Sequence, residues 1–422
     1  MISYNLQNKI TNFSAILLSL IPLFLISGPF IPDLFLVIIN LNFILLTCVN
    51  RDFKIFRNKI LLLALIFCLI ISLVSILSLN ISSIKSSFFY FRFIFFALAT
   101  YKIVSKKKNI FKYILGLFLF IYPVLFFDSI YQYHFSENII GLKYMNMSNF
   151  RITSFFGDDE ILGAYISRFF PFLLFLVIYN FKDKNLKKKI IITILTVFSF
   201  VMIILSGERT AFALFVLSIL FIFFSSIKLR KILILPMFVS LLVFVSVILS
   251  SEKIRFRMVD TTLAQLGLVN QSERLVLFSK TYEGHYIISL NMFKEKPFLG
   301  HGAKMFRFYC AKKENFVAIN ACTTHPHNFY AQMLAETGII GFTLLISIFT
   351  YISYMFLKNF YYQFKYKKQL ISDFGVCLLA SYFITLFPIL PSGNFFNNWL
   401  SIIIYYPLGF LIYIIKEKKF YV

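Results

Sequence analysis

Charged side chains make up only 14% of the 422 residues, while apolar ones make up 59%. A chain with so little charge cannot cover a water-soluble globule, and the class it leaves is a polytopic helical membrane protein, read as one integral domain over 1–422. Negative charge is scarcer still: 18 Asp and Glu stand against 42 Lys and Arg, a formal net charge of +24. The basic residues lie in short blocks between apolar runs and form no contiguous face, which argues against a nucleic-acid partner and for loops that meet anionic lipid. The chain lacks a P-loop, a dinucleotide fingerprint and a serine nucleophile elbow. It has no internal repeat, low-complexity tract or Gly/Ser linker.

Only five cysteines are present. Cys48, Cys68 and Cys377 fall in apolar runs and read as packing residues. Cys310 and Cys322 fall in a polar stretch, where a disulfide is expected if that stretch faces an oxidising compartment. No His-Glu-x-x-His or Cys-x-x-Cys accompanies the histidines, and the His-x-His of His325 and His327 does not place both rings on one helical face, so no metal is expected.

Twelve apolar segments of span length are present, at about 13–31, 33–49, 60–79, 87–105, 113–133, 161–180, 190–206, 210–227, 232–250, 338–357, 370–388 and 397–415. The first follows a polar start without a small-x-small cleavage site and is read as uncleaved. The Lys/Arg blocks at 51–59, 106–112, 182–189, 228–231 and 358–368 occupy alternate connections. With both termini on the same side as these blocks, the positive-inside rule makes that side the cytoplasm. The long connection 251–337 then lies outside, and its many basic residues are exempt from the rule because long loops cross regardless of charge. A cationic outer loop is explained most simply by an anionic ligand.

Four constellations stand out. Thr323-Thr324-His325-Pro326-His327-Asn328 could open a helix capped by Thr324 or His325, with Pro326 in its first position. Run on to Leu357, that helix would be about 48 Å long against a hydrocarbon core of about 30 Å. His327, Tyr330, Ala331, Leu334, Gly338 and Gly341 would share a face opposite Glu336, and His327 would stand at the mouth of the bundle. Ser206-Gly207-Glu208-Arg209 places a guanidinium at the outer end of two spans, where it either snorkels or grips phosphate through both prongs. Asp158, Asp159 and Glu160 precede another span, where they either cap it or orient arginines of a site. Pro297-Phe298-Leu299-Gly300-His301-Gly302 reads as tight turns after a helix end. Arg92, flanked by aromatics, either lines a cavity or pairs with headgroups.

His327-Asn328, nine residues and then Gly338-x-x-Gly341 resemble the His-Asn-x9-Gly-x-x-Gly motif of the O-antigen ligase and polymerase superfamily. The Pro297–Gly302 turn, Arg209 behind a serine, and Phe306-Arg307 with Cys310 continue the resemblance in order. It implies a helical fold of the GT-C-like, lipid-linked sugar transferase type with about 12 transmembrane helices. The loop 251–337 would be periplasmic and carry part of the active site. The implied activity is transfer of a glycan from an undecaprenyl-diphosphate donor to lipid A-core at the bacterial inner membrane, or to a second lipid-linked chain in a polymerase, without metal or other cofactor. His327 would be the general base and Arg209 the phosphate clamp. Arg274, His285 and Arg307 are candidates for a second diphosphate contact, Asn328 and Tyr330 for substrate contacts, and Gly338 and Gly341 for structure. Where relatives place an arginine ahead of a tryptophan, this chain has Glu283-Gly284-His285-Tyr286. A flippase of lipid-linked glycan would need a polar path that these apolar spans do not offer.

Overall fold

The computed structural model describes residues 3–56, 59–143, 151–181, 185–265, 278–314, 317 and 319–422. Among them the regular structure is helical, apart from two isolated bridges, Glu137 to Lys143 and Ile371 to Tyr421. Lipid offers no hydrogen bonds to a backbone, so helices that satisfy their own N–H and C=O groups are the available form for such apolar runs. In chain order they are α1 (Tyr4–Phe24), α2 (Phe30–Val49), α3 (Lys59–Leu77), α4 (Ile81–Phe88), α5 (Phe91–Lys106), α6 (Ile110–Phe135), α7 (Leu162–Asn180), α8 (Asn185–Leu205), α9 (Arg209–Ser225) and α10 (Ile227–Ser250). The long connection holds α11 (Glu252–Arg255), α12 (Thr261–Gln265), α13 (Lys280–Glu295) and α14 (Phe306–Tyr309). Then come α15 (Phe329–Tyr366), α16 (Asp373–Thr385) and α17 (Asn398–Lys416).

Nine segments are long and apolar enough to cross a membrane among the described residues, α4 and α5 counting as one. The other apolar runs form the shorter helices Leu61–Leu77, Arg209–Ser225 and Asp373–Thr385. The protein is therefore an all-helical, multi-pass membrane protein. At 1.5 Å per residue α16 is only about 20 Å long, less than the hydrocarbon thickness.

Helix α7 is the axis of the bundle, buried on all sides from Leu162 to Ile178 apart from Ala164. Its Phe169 and Phe172 meet Tyr406 of α17 edge-on, with centroids 6.2 and 5.4 Å apart. By contrast α10 buries only Leu229, Leu233, Pro236 and Ser240, as a rim helix in lipid should. Pro22 inside α1 has no N–H for the carbonyl of Leu18, and the Tyr406 hydroxyl donates to that carbonyl at 3.1 Å. Tyr165 likewise donates to the carbonyl of Pro22 at 2.8 Å, so two aromatic hydroxyls lock α1 to the core.

The long connection has a small core of its own, made by Ile288, Met292, Phe306, Cys310 and Ala321 against Ala335 of α15. Cys310 and Cys322 are joined by a disulfide, as their placement in the sequence suggested.

The helix that would run from Pro326 to Leu357 if unbroken is interrupted. Gly338 sits at φ +63° and ψ −159° inside α15. That break frees the carbonyls of Ala335 and Glu336, and the turn Pro297–Gly302 takes them: His301 N–H donates to Ala335 at 3.1 Å and Gly302 N–H to Glu336 at 2.9 Å. In return Ile339 N–H donates to the Pro297 carbonyl at 2.8 Å. A Cβ at Gly338 would collide with the Phe298 carbonyl, and one at Gly300 with the backbone of Glu336. The two glycine motifs are thus the two halves of one backbone contact.

Candidate active site

The turn before α15 is fixed by the connection between α16 and α17. Asn328 caps α15: its side-chain oxygen accepts from the N–H groups of Tyr330 and Ala331 at 2.9 and 3.1 Å. Its Nδ2 donates to the Pro388 carbonyl at 2.7 Å, and Ser392 N–H donates to the His327 carbonyl at 2.8 Å. These bonds hold His327 in the left-handed region at φ +51°, a conformation that costs a non-glycine residue on the order of 1–3 kcal/mol. Neither Thr324 nor His325 is the cap, and Pro326 does not begin the helix. His327 therefore precedes the helix and does not share its face with Tyr330, because backbone partners 60 residues away decide the geometry of this turn.

Three imidazoles meet there. The His327 ring lies 4.1 Å from that of His325 and 5.3 Å from that of His285, centroid to centroid. His285 is buried, and its Nδ1 donates to the Ala321 carbonyl at 2.7 Å. Burial, and then His285, push His327 down to about 4. Burial, followed by His327, Arg307 and His285, pushes His325 down to about 3. Both rings are neutral near pH 7, the state in which an imidazole accepts a proton. Among the described residues no three His, Cys, Asp or Glu side chains are disposed to hold a metal ion.

Near Tyr282 lies a cluster of arginines. The Tyr282 and His327 rings stand edge to face at 5.9 Å, and Tyr282 also lies within electrostatic reach of Arg209 and Arg257. Arg209 begins α9, and its Nη1 reaches the Thr262 hydroxyl at 3.5 Å. Arg257 sits in a π-helical turn, Phe256–Asp260, a local widening of the helix that re-aims a side chain. Its Nε donates to the Gly207 carbonyl at 3.2 Å, and burial, together with the charges of Arg151 and Arg209, lowers its pKa. Arg151 completes the group. It pairs with Glu160, while its buried Nε has no partner. Three guanidiniums against the carboxylates of Glu160 and Glu208, the latter within electrostatic reach of Arg151, leave an excess of positive charge, which suits a polyanion.

The sequence reading did not single out Arg257, Arg151 or Tyr282. A signal for two of them existed: Tyr282 and His285 are three apart on one helix, and Arg257 lies seven residues past the end of a span, Ser250. Arg151 carries no such mark. Of the three acidic residues before α7, Glu160 orients an arginine and none caps the helix. The cap comes from Glu208, whose carboxylate accepts from Gly163 and Ala164 N–H at 2.6 and 3.1 Å. A Cβ at Gly163 would meet the Ser206 hydroxyl at 2.5 Å, so Ser206-Gly207-Glu208 docks where only glycine leaves room.

Other predicted residues have structural partners. Tyr330 donates its hydroxyl to the Leu386 carbonyl at 2.6 Å. Glu336, fully buried, accepts from the N–H groups of Lys304 and Phe306 at 2.9 and 3.0 Å and from Gln332 at 2.9 Å. Arg307 stands near His325, and its buried Nε has no partner. Gly341 lies against the Thr337 side chain, one turn past the break. Arg92 pairs with Asp33 through Nε and Nη2 at 3.1 and 3.2 Å, because α2 brings a carboxylate to it from 59 residues away. Arg274 lies outside the described residues.

Residues 194–346 match the family described as O-antigen ligase. This stretch is similar to an O-antigen ligase domain. The match supports the O-antigen ligase and polymerase superfamily, and it includes Arg209, Arg257, Tyr282, His285, Arg307 and His327. Arg151 and Glu160 come from before it, and Pro388 and Ser392, which fix the His327 turn, from after it. No curated protein matches the chain. The O-antigen ligase domain supports a glycosyltransferase-like activity of the ligase or polymerase type, with lipid-linked glycan substrates in a bilayer.

Proposed function

We propose that the protein is an O-antigen ligase that moves a glycan from an undecaprenyl-diphosphate donor to a hydroxyl of lipid A-core, on the periplasmic face of the bacterial inner membrane. The observation that carries this reading is Tyr282, whose ring meets the His327 imidazole at 5.9 Å and which lies within electrostatic reach of the Arg209 and Arg257 guanidiniums. The donor diphosphate lies against Arg209, Arg257 and Arg151, and the acceptor hydroxyl against His327. The acceptor oxygen forms a bond to the anomeric carbon as the bond from that carbon to the diphosphate oxygen breaks. The hydroxyl proton passes to the neutral His327, and the lipid diphosphate leaves with the electron pair. Negative charge grows on the leaving diphosphate, and fixed guanidiniums in a water-poor site stabilise that growth by several kcal/mol. The loop 251–337 acts as the carrier of half of this site, since Arg257, Tyr282 and His327 all belong to it.

The orientation rests on the Lys/Arg blocks, which put both termini in the cytoplasm. Membrane-impermeant thiol reagents should label cysteines introduced in 278–314 and not in 185–189; labelling from the opposite sides would invert the assignment. The activity is tested by deletion. Free lipid-linked polymer should accumulate while attachment to lipid A-core is lost. Single repeat units on the core, with no polymer, would instead identify a polymerase.

A further inference from the structure

At the end of the bundle opposite His327 a cleft of about 310 Å³ opens between the start of α1, the end of α2 and the end of α5. Its size lies at the lower bound of small-ligand sites, about 300–1,000 Å³. Two ammonium groups, Lys102 and Lys106, border it against one carboxylate, Asp52, which pairs with Lys102. Lys107 ties the rim shut on α1 by donating to Asn8 at 2.6 Å. Gln7, Thr11 and Ser14 recur on one face of α1 and give that wall amides and hydroxyls, and Asn50 faces them from the end of α2. The floor is apolar, formed by Phe43, Leu46 and Ile103.

A floor of aromatic and aliphatic carbon is of no use to a free inorganic ion, whereas it suits the carbon of a lipid. The cleft therefore has one net positive charge, hydrogen-bonding walls and an apolar base. It also stands at a level where lysines at helix ends meet lipid phosphate, beside α1 and α2 faces that expose Phe13, Ile16 and Leu41. We propose that this cleft binds the phosphodiester headgroup of an anionic membrane lipid, with Lys106 and Lys102 on the phosphate and the α1 wall on the polar alcohol. The site is separate from the transfer chemistry and does not depend on the reading of it.

The test uses the full-length protein, purified in detergent and titrated with phosphatidylglycerol while its melting temperature is followed. Phosphatidylglycerol should raise the melting temperature saturably, and phosphatidylcholine should not. Each lysine near a lipid surface contributes about fivefold in affinity, so Lys106→Gln should need about fivefold more lipid for half of the effect, and Lys102→Gln with Lys106→Gln correspondingly more. Lys106→Gln leaves the Lys102–Asp52 pair in place, which keeps the test meaningful if the double variant fails to fold. Asp52→Asn breaks the same pair but removes negative charge, and it should retain or tighten the response. An unchanged titration in Lys106→Gln, an equal response to phosphatidylcholine, or stabilisation by sodium phosphate alone would each overturn the lipid assignment.

Discussion

Tyr282 and His327 stand edge to face with ring centroids 5.9 Å apart at 66°, although 45 residues of chain separate them. The contact joins α13 to the turn before α15, and the same tyrosine lies within electrostatic reach of Arg209 and Arg257.

The pH dependence of transfer follows from His327. A base must be unprotonated to act, and burial with the neighbouring His285 holds His327 down to about 4. The acidic limb of kcat/KM for the donor, which reports the free enzyme, should therefore fall near pH 4 and not near the ordinary imidazole value of about 6.5. A bound diphosphate favours the protonated ring, so the limb of kcat should lie at higher pH than that of kcat/KM. A limb near 6.5 in both profiles would remove the burial effect, and the absence of a limb in wild type would remove the base. His327→Ala should lose transfer with its melting temperature held.

Arg257 should matter as much as Arg209. Replacement of either by alanine is expected to lower kcat by about 10²-fold or more, the usual loss when a preorganised donor to developing charge is removed. Lysine at either position should recover only part, because an ammonium lacks the planar fork. Steady-state kinetics with purified protein decides it. Wild-type rates for Arg257→Ala would leave Arg209 without the partner assigned to it.

The disulfide should account for stability rather than chemistry. Cys310 and Cys322 close a loop of 12 residues, for which the loss of the bond costs about 2–4 kcal/mol. Reductant, or Cys310→Ser, should lower the melting temperature and leave kcat within a fewfold at low temperature. In the absence of reductant and before unfolding, maleimide should react with exposed Cys48 and spare buried Cys68 and Cys377. Two further reactive thiols in the native protein would show that the bond is not formed.

Gly338→Ala should fail more severely than an ordinary glycine replacement, which costs about 1 kcal/mol in a helix. The position needs φ +63°, and a methyl group would meet the Phe298 carbonyl, so the turn Pro297–Gly302 must lift off α15. Folded yield and melting temperature should both fall, and transfer with them. Gly116→Ala is the control, since nothing lies within 4 Å of a Cβ there and its effect should be small.

Much of this molecule could be read from its sequence. Apolar run length alone compels helices, because a backbone in lipid must satisfy itself, and each of the twelve expected segments contains a helix, although only nine segments among the described residues are long and apolar enough to cross a membrane. The Cys310–Cys322 pair was also legible. What the tertiary structure decided depends on partners far away in the chain. Asn328 caps α15 because Pro388 and Ser392 come to meet its turn, and Glu208 caps α7 from 45 residues away. The helix breaks at Gly338 because the freed carbonyls have ready donors in His301 and Gly302. Arg257 and Arg151 join Arg209 only once α7, α9 and the long loop converge. Local periodicity carries the helix and the face it buries, but a left-handed φ or a cluster of like charges is stable only when distant groups support it, and those groups are fixed by packing.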